Sequence, residues 1–234
     1  MKNPWVVIGV IAVVLIGGSV WYSAQISKSY NEGVVLSKHI KGNPDAVVAL
    51  TEYSDFECPA CKQFEPIVNE ILAQYGDNIL FEYKHFPLIQ IHPYAEQAAS
   101  AAEAAGQQGK FFEFKELLFE NQEAWVPPNP APSKYFSQYA EELGLDMPQF
   151  NRQLRSSLIK DNVRASYSIA RDLGLTSTPT FFLNGQKMNI TTYQDFIEQV
   201  KNAVDPKIDL NASAEIIKAL AGEEETKNIA STSN

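Results

Sequence analysis

Cys58 and Cys61 are the only cysteines among 234 residues, and they stand three apart in Cys58-Pro59-Ala60-Cys61. A bridge closing so short a loop removes little freedom from the unfolded chain, so stability is a poor reason for the pair. A closed zinc site needs four ligands, and His39, His85 and His92 are scattered in sequence with no second CxxC. Lys62 follows the second cysteine where haem attachment would need histidine. What remains is thiol–disulfide exchange, in which a thiolate attacks a disulfide sulfur. No metal and no other cofactor is expected.

Such chemistry needs an element that makes one sulfur a good thiolate. Pro59 suits the first turn of a helix. Phe64, Ile67, Val68, Ile71, Leu72 and Tyr75 then recur at 3 and 4 spacing, which predicts an amphipathic helix ending near Gly76. Cys58 falls at the helix start, where unpaired N–H groups favour negative sulfur. Cys61 lies one turn deeper on the same face. Cys58 is therefore expected to attack and Cys61 to resolve. Asp55, Glu57 and Glu65 work against a thiolate, Ala60 contributes neither charge nor hydrogen bond, and Lys62 offsets part of the acidity. Glu52 sits towards the end of an apolar strand over 46–53. It is either a buried group with a raised pKa, able to take the proton of Cys61, or a strand-end residue turned to solvent.

A second strand over 79–85 completes a βαβ unit. Residues 93–173 read as wholly helical, with helices over 94–105, 110–121, 134–143, 148–158 and 160–173 and a Pro-rich loop over 126–133. Thr180–Leu183 reads as a strand, Asn184-Gly185 as a hairpin turn, 187–190 as its partner, and 192–204 as a closing helix. The tail over 205–234 has one short helical stretch (212–220) and is otherwise polar and expected to be largely disordered.

At the other end, residues 5–21 form an uncharged apolar run bracketed by Trp5, Trp21 and Tyr22. As a helix it spans about 25 Å, slightly short of a hydrocarbon core of about 30 Å. Lys2 precedes it, so residues 1–21 read as a transmembrane anchor with its start inside the cell. A cleaved signal peptide is the alternative. Residues 22–40 read as a tether, with a short strand at 34–36, leading to a domain over 41–204. Either way the cysteines reach an oxidising compartment, periplasmic or at the cell surface. The net charge of −9, with no basic cluster, argues against a nucleic-acid partner.

Several segments resemble the DsbA-like branch of the thioredoxin superfamily, near its membrane-anchored single-domain members. They are Glu52 through Cys61, Phe86-Pro87-Leu88, His92 through Ala101-Ala102 to Gly109-Lys110-Phe111-Phe112, and Thr178-Pro179-Thr180-Phe181. The likeness covers roughly residues 42–204. It implies an α/β thioredoxin-like fold with a helical insertion, at about 93–173 here. It implies that Glu52 is the buried acid beneath the resolving cysteine, and that Pro179 is a cis proline facing the active site. Thr178 and Pro179 would then form a substrate-binding edge, with Pro59 and Ala60 supporting the cysteines. The expected activity is a dithiol oxidase acting on exported cysteine-containing proteins and reoxidised by a membrane quinone-linked protein. An isomerase, a reductase, or a redox-silent binding or metallochaperone module are the alternatives. Better-known members carry His or Tyr where Ala60 stands, so redox strength transfers poorly.

Overall fold

The computed structural model describes residues 4–127 and 131–204. At its centre lies a five-stranded sheet of order β1-β3-β2-β4-β5, made of His39–Gly42 (β1), Val48–Ser54 (β2), Ile79–His85 (β3), Thr180–Leu183 (β4) and Gln186–Lys187 (β5). The β2–β3 pair is parallel, so it needs a crossover, and helix α2 (Pro59–Tyr75) supplies it. The other pairings are antiparallel. β2, with neighbours on both sides, carries Val48, Leu50, Glu52, Tyr53 and Ser54 inside. β3 alternates, burying Ile79, Phe81, Tyr83 and His85.

The apolar stripe of α2 does what its spacing predicts. Ile67, Val68, Ile71, Leu72 and Tyr75 are buried in the main core with Phe181 of β4 and Phe196 of the closing helix α9 (Tyr193–Val204). Between β3 and β4 the insertion consists of α3 (Ala95–Gly106), α4 (Phe111–Glu120), α5 (Gln122–Trp125), α6 (Pro132–Glu142), α7 (Met147–Gln153) and α8 (Ser157–Asp172). The alanines of α3 let α4 and α8 pack closely on it. Phe111, Phe114, Leu118 and Phe119 of α4 are core residues, as an aromatic stripe at helical spacing suggests.

Five details differ from the expectations above, the first being that the helix expected over 148–158 ends at Gln153 and α8 starts at Ser157 rather than 160, capped where the Ser156 side chain accepts from Ile159 N. The N-terminal helix α1 (Pro4–Asn31) does not end near residue 21 but runs on through part of the expected tether. Residues 22–31 contain neither Gly nor Pro, so nothing breaks the helix before Gly33, at φ 72°. Asn31 then docks on the start of α8, accepting from Ser156 Oγ at 2.7 Å and donating to Ser157 Oγ at 3.0 Å. No strand forms at 34–36; the edge strand is β1, three residues further on. The hairpin partner is Gln186–Lys187 rather than 187–190, although the turn is as expected, with Asn184 and Gly185 both at positive φ. Residues 122–125 form a separate short helix that the sequence does not announce, fixed where Trp125 Nε1 donates to Leu118 O at 2.9 Å. The short helix expected at 212–220 and the tail lie outside the described residues.

Candidate active site

Cys58 is the N-cap of α2, with extended backbone (φ −77°, ψ 121°) and Pro59 in the first turn. Both cysteines are free thiols. Cys58 keeps a sliver of exposure (7%), whereas Cys61 is sealed (0%). The Cys58 thiol donates to Thr178 O at 3.4 Å, and the Thr178-Pro179 peptide bond is cis. Thus the loop before β4 lies against the start of α2, with Thr178 O beside Cys58.

The two sulfurs differ in proton affinity. A hydrogen bond from Cys61, helped by the backbone N–H groups of Ala60 and Cys61 and opposed by burial, brings Cys58 down to about 6. Burial drives Cys61 the other way, well above 9.0, and the neighbouring Cys58 and Glu52 charges add to it. At neutral pH the exposed edge of the pair is a thiolate and the sealed sulfur a thiol.

Glu52 is buried at 1% exposure, not turned to solvent. It lies mid-sheet on β2, paired in register with Tyr83 on one side and Phe181 on the other. Burial lifts its pKa to about 7; the nearby Lys115 cation pulls down, while Glu65 pushes up. Its Oε2 is enclosed and has no hydrogen-bond partner among the described residues. A carboxyl group there can hold or take a proton near neutral pH. Because the folded-state pKa lies above 4.5, the group's contribution to stability is full below about pH 4.5 and is lost as pH rises through about 7. Glu52→Gln is therefore expected to unfold like the wild type at acid pH and to be more stable by about 3 kcal/mol above pH 8. Urea titrations across that range check it; a difference independent of pH would contradict the ionisation argument.

Lys115, deep in the insertion, is absent from the sequence reading. It ion-pairs with Glu65 of α2, and both are buried. Its ammonium also lies 5.7 Å from the Tyr83 ring centroid and 5.6 Å from that of Phe119. The acidity that Glu65 brings near Cys58 is thus neutralised from across the core. Lys62 does not play that part, because it pairs with Glu123 of α5. Gln122 of α5 donates to Phe56 O at 2.8 Å and to Cys58 O at 3.1 Å, so the insertion holds the loop carrying Cys58. Nothing in the sequence distinguishes Lys115 or Gln122 from ordinary helix residues; both act over more than 45 positions.

Asp55 braces the same loop from inside. Its Oδ1 accepts from Glu57 N at 2.8 Å, and its Oδ2 from Leu88 N at 2.8 Å and from His92 Nδ1 at 2.7 Å. Glu57 Oε2 accepts from Tyr94 N at 2.7 Å, and burial raises its pKa. The Asp55 hydrogen bond, against partial burial, keeps His92 protonated to higher pH than a free histidine, and the Cys58 charge acts in the same sense. Because the Cys58 and His92 charges favour one another, His92→Gln is expected to move the pH midpoint of Cys58 alkylation up. An unmoved midpoint would show that His92 only braces the loop.

The other two histidines are not scattered once the chain folds. His39 Nε2 lies 2.9 Å and His85 Nε2 3.2 Å from Glu103 Oε1. Burial would raise Glu103, but hydrogen bonds from His39 and His85 prevail and hold it at about 2. Burial pushes His85 below the usual histidine range. These three donors are the group among the described residues that could hold a metal ion.

A cysteine pair at a helix start, beside a cis-proline loop that leads into a strand of a mixed five-stranded sheet, is the arrangement of a thioredoxin-like protein. The family model described as thioredoxin matches residues 35–202, and the chain belongs to that family. Among solved structures it resembles alpha-DsbA1 from Wolbachia pipientis, with TM-score 0.64 and 22% identity over 82% of this chain and 99% of that one. It also resembles oxidised BdbD from Bacillus subtilis, with TM-score 0.62 and 21% identity over 74% and 94%. At such identity the likeness shows the fold. A curated relative, "Na(+)/H(+) antiporter NhaA 1" of Mycobacterium sp. (strain KMS), is 39% identical over 153 residues, or 64% of this chain and 24% of the relative. The chain thus spans about a quarter of that antiporter's length, and what is shared is one region of it.

Proposed function

We propose that the chain is a protein thiol–disulfide oxidoreductase working as a dithiol oxidase on exported proteins. The observation that carries this reading is the asymmetry of the pair: Cys58 favoured as thiolate at the helix start, Cys61 sealed and held as thiol. A thiolate stabilised in the reduced form makes the disulfide a stronger oxidant. The likeness in fold to alpha-DsbA1 is in keeping with thiol–disulfide exchange.

In the forward reaction a client thiolate attacks Cys58 Sγ of the Cys58–Cys61 disulfide. The S–S bond breaks and its electron pair goes to Cys61, which takes a proton from Glu52 as it leaves. A second client thiolate then attacks the client sulfur of the mixed disulfide and expels Cys58 as a thiolate. The client gains a disulfide, and the two cysteines are left reduced. A membrane quinone-linked protein would remove those two electrons. Thr178, beside Cys58, offers backbone groups with which an extended client can pair as an added strand. Stoichiometric oxidised protein mixed with a reduced, unfolded disulfide protein tests the reading. Transfer of one disulfide per chain supports it; a client left reduced while the oxidised pair persists would end it.

Helix α1 supports a membrane anchor. Its stretch Ile8–Asn31 is long and apolar enough to cross a bilayer, and Val13, Leu15, Ile16, Trp21 and Tyr22 lie exposed along it. The proposal is that 1–21 stays in the mature protein, followed by the catalytic domain over 41–204 outside the membrane. Intact-mass measurement of membrane-extracted protein should give the full chain. A mature chain beginning near Val20 or Gln25 would show cleavage and release instead.

A further inference from the structure

We propose that His39, His85 and Glu103 form a binding site for one zinc-class divalent metal ion, clamping the edge strand β1 and helix α3 to the sheet. The three residues come from separate elements. His39 pairs with Tyr83 in the antiparallel β1–β3 register, and His85 stands two residues beyond Tyr83. Residues two apart on a strand share a face, so both imidazoles lie on one side of the sheet, where α3 brings Glu103 across. All three are buried.

The donor atoms lie within 4.8 Å of one another, with the two imidazole nitrogens 2.9 and 3.2 Å from Glu103 Oε1. Zinc bonds of about 2.0–2.1 Å at tetrahedral angles put donors roughly 3.3 Å apart, so an ion fits among them with small adjustments. The chemistry of the set is selective: two imidazoles and one carboxylate suit zinc and its transition-metal neighbours, whereas calcium and magnesium prefer all-oxygen cages.

A second observation points to a ligand. Glu103 Oε1 receives three groups, the two imidazoles and Asn162 Nδ2 at 3.1 Å, while Oε2 of the same carboxylate is buried without a partner among the described residues. A buried anionic oxygen left bare is costly. A cation among the three residues would use the carboxylate charge, and Asn162 can complete the shell through its amide oxygen or a water. The site is separate from the cysteines, although His85 pairs with Ser54 in register, directly before Asp55 of the active-site loop. A bound ion would therefore stiffen the base of that loop as well as the sheet edge.

The test uses the full chain in detergent with Cys58 and Cys61 oxidised to their disulfide, so that neither thiolate can ligate. Zinc is added, excess is removed by gel filtration, and bound metal is measured by elemental analysis. Cobalt is then substituted to read the ligand field. The expected result is about one zinc per chain, cobalt bands of nitrogen and oxygen ligation, and a rise in the unfolding temperature with zinc that a chelator reverses. His39→Ala and Glu103→Gln should each weaken binding by at least about a hundredfold. Wild-type protein that keeps no zinc and shows no thermal shift would overturn the proposal. So would His39→Ala that binds as tightly as wild type. If that variant does not fold, the wild-type thermal shift and cobalt spectrum decide by themselves.

Discussion

Cys61→Ala is expected to turn the protein into a trap that accumulates client mixed disulfides, while Cys58→Ala accumulates none. Cys58 is the one of the two cysteines with any exposure, and it is the one whose thiolate the helix start favours. In the Cys61→Ala chain the Cys58 thiolate can still attack a client disulfide, expelling one client sulfur as a thiolate. The bond then formed has no neighbour to break it. An oriented intramolecular group acts at an effective concentration on the order of 10⁵ M or more, so dependence on millimolar external thiol should lengthen the adduct's life by about 10³-fold or more. Non-reducing gels after acid quenching, followed by mass spectrometry, read the adducts. Equal trapping by both single variants would overturn the assignment of nucleophile and resolving thiol.

Lys115→Met is expected to cost roughly 3–5 kcal/mol of stability, because it leaves the buried Glu65 carboxylate without its cation. Methionine keeps most of the lysine stem's volume, so the loss reports the charge more than a cavity. The same change removes the cation that pulls Glu52 down, and Glu52 should then titrate above its value of about 7. Lys115→Met with Glu65→Leu removes both charges and should recover most of the stability, as replacing a whole buried pair is often neutral. Denaturant midpoints of the two variants measure this. A single variant within about 1 kcal/mol of wild type would mean that water reaches Glu65.

The sequence made the chemistry legible because it is local. Cys58, Pro59 and Cys61 lie within one helical turn, and the stripe from Phe64 to Tyr75 needs only its own periodicity to declare itself. Asn184-Gly185 is equally self-contained, since the turn demands two positive φ values that those residues tolerate. The fate of Glu52 was half legible. Its apolar neighbours suggested burial, but only the strands on both sides of β2 exclude solvent. Lys115 and Glu65, 50 residues apart, carry no mutual signal; each reads as a polar position on its own helix. His39, His85 and Glu103 likewise converge only through the β1–β3 register and the packing of α3. The overrun of α1 to Asn31 is the opposite case, a local one: residues 22–31 are polar like a tether but hold no helix breaker before Gly33.

The most direct test of the account is the equilibrium reduction potential of the Cys58–Cys61 pair, measured on the full chain against glutathione buffers at pH 7. A Cys58 pKa near 6 beside a sealed Cys61 predicts an oxidising pair, at about −180 to −120 mV, in the range of disulfide isomerase and DsbA-type oxidants. A value near −270 mV, that of a thioredoxin-type reductant, would contradict the proposed direction of electron flow.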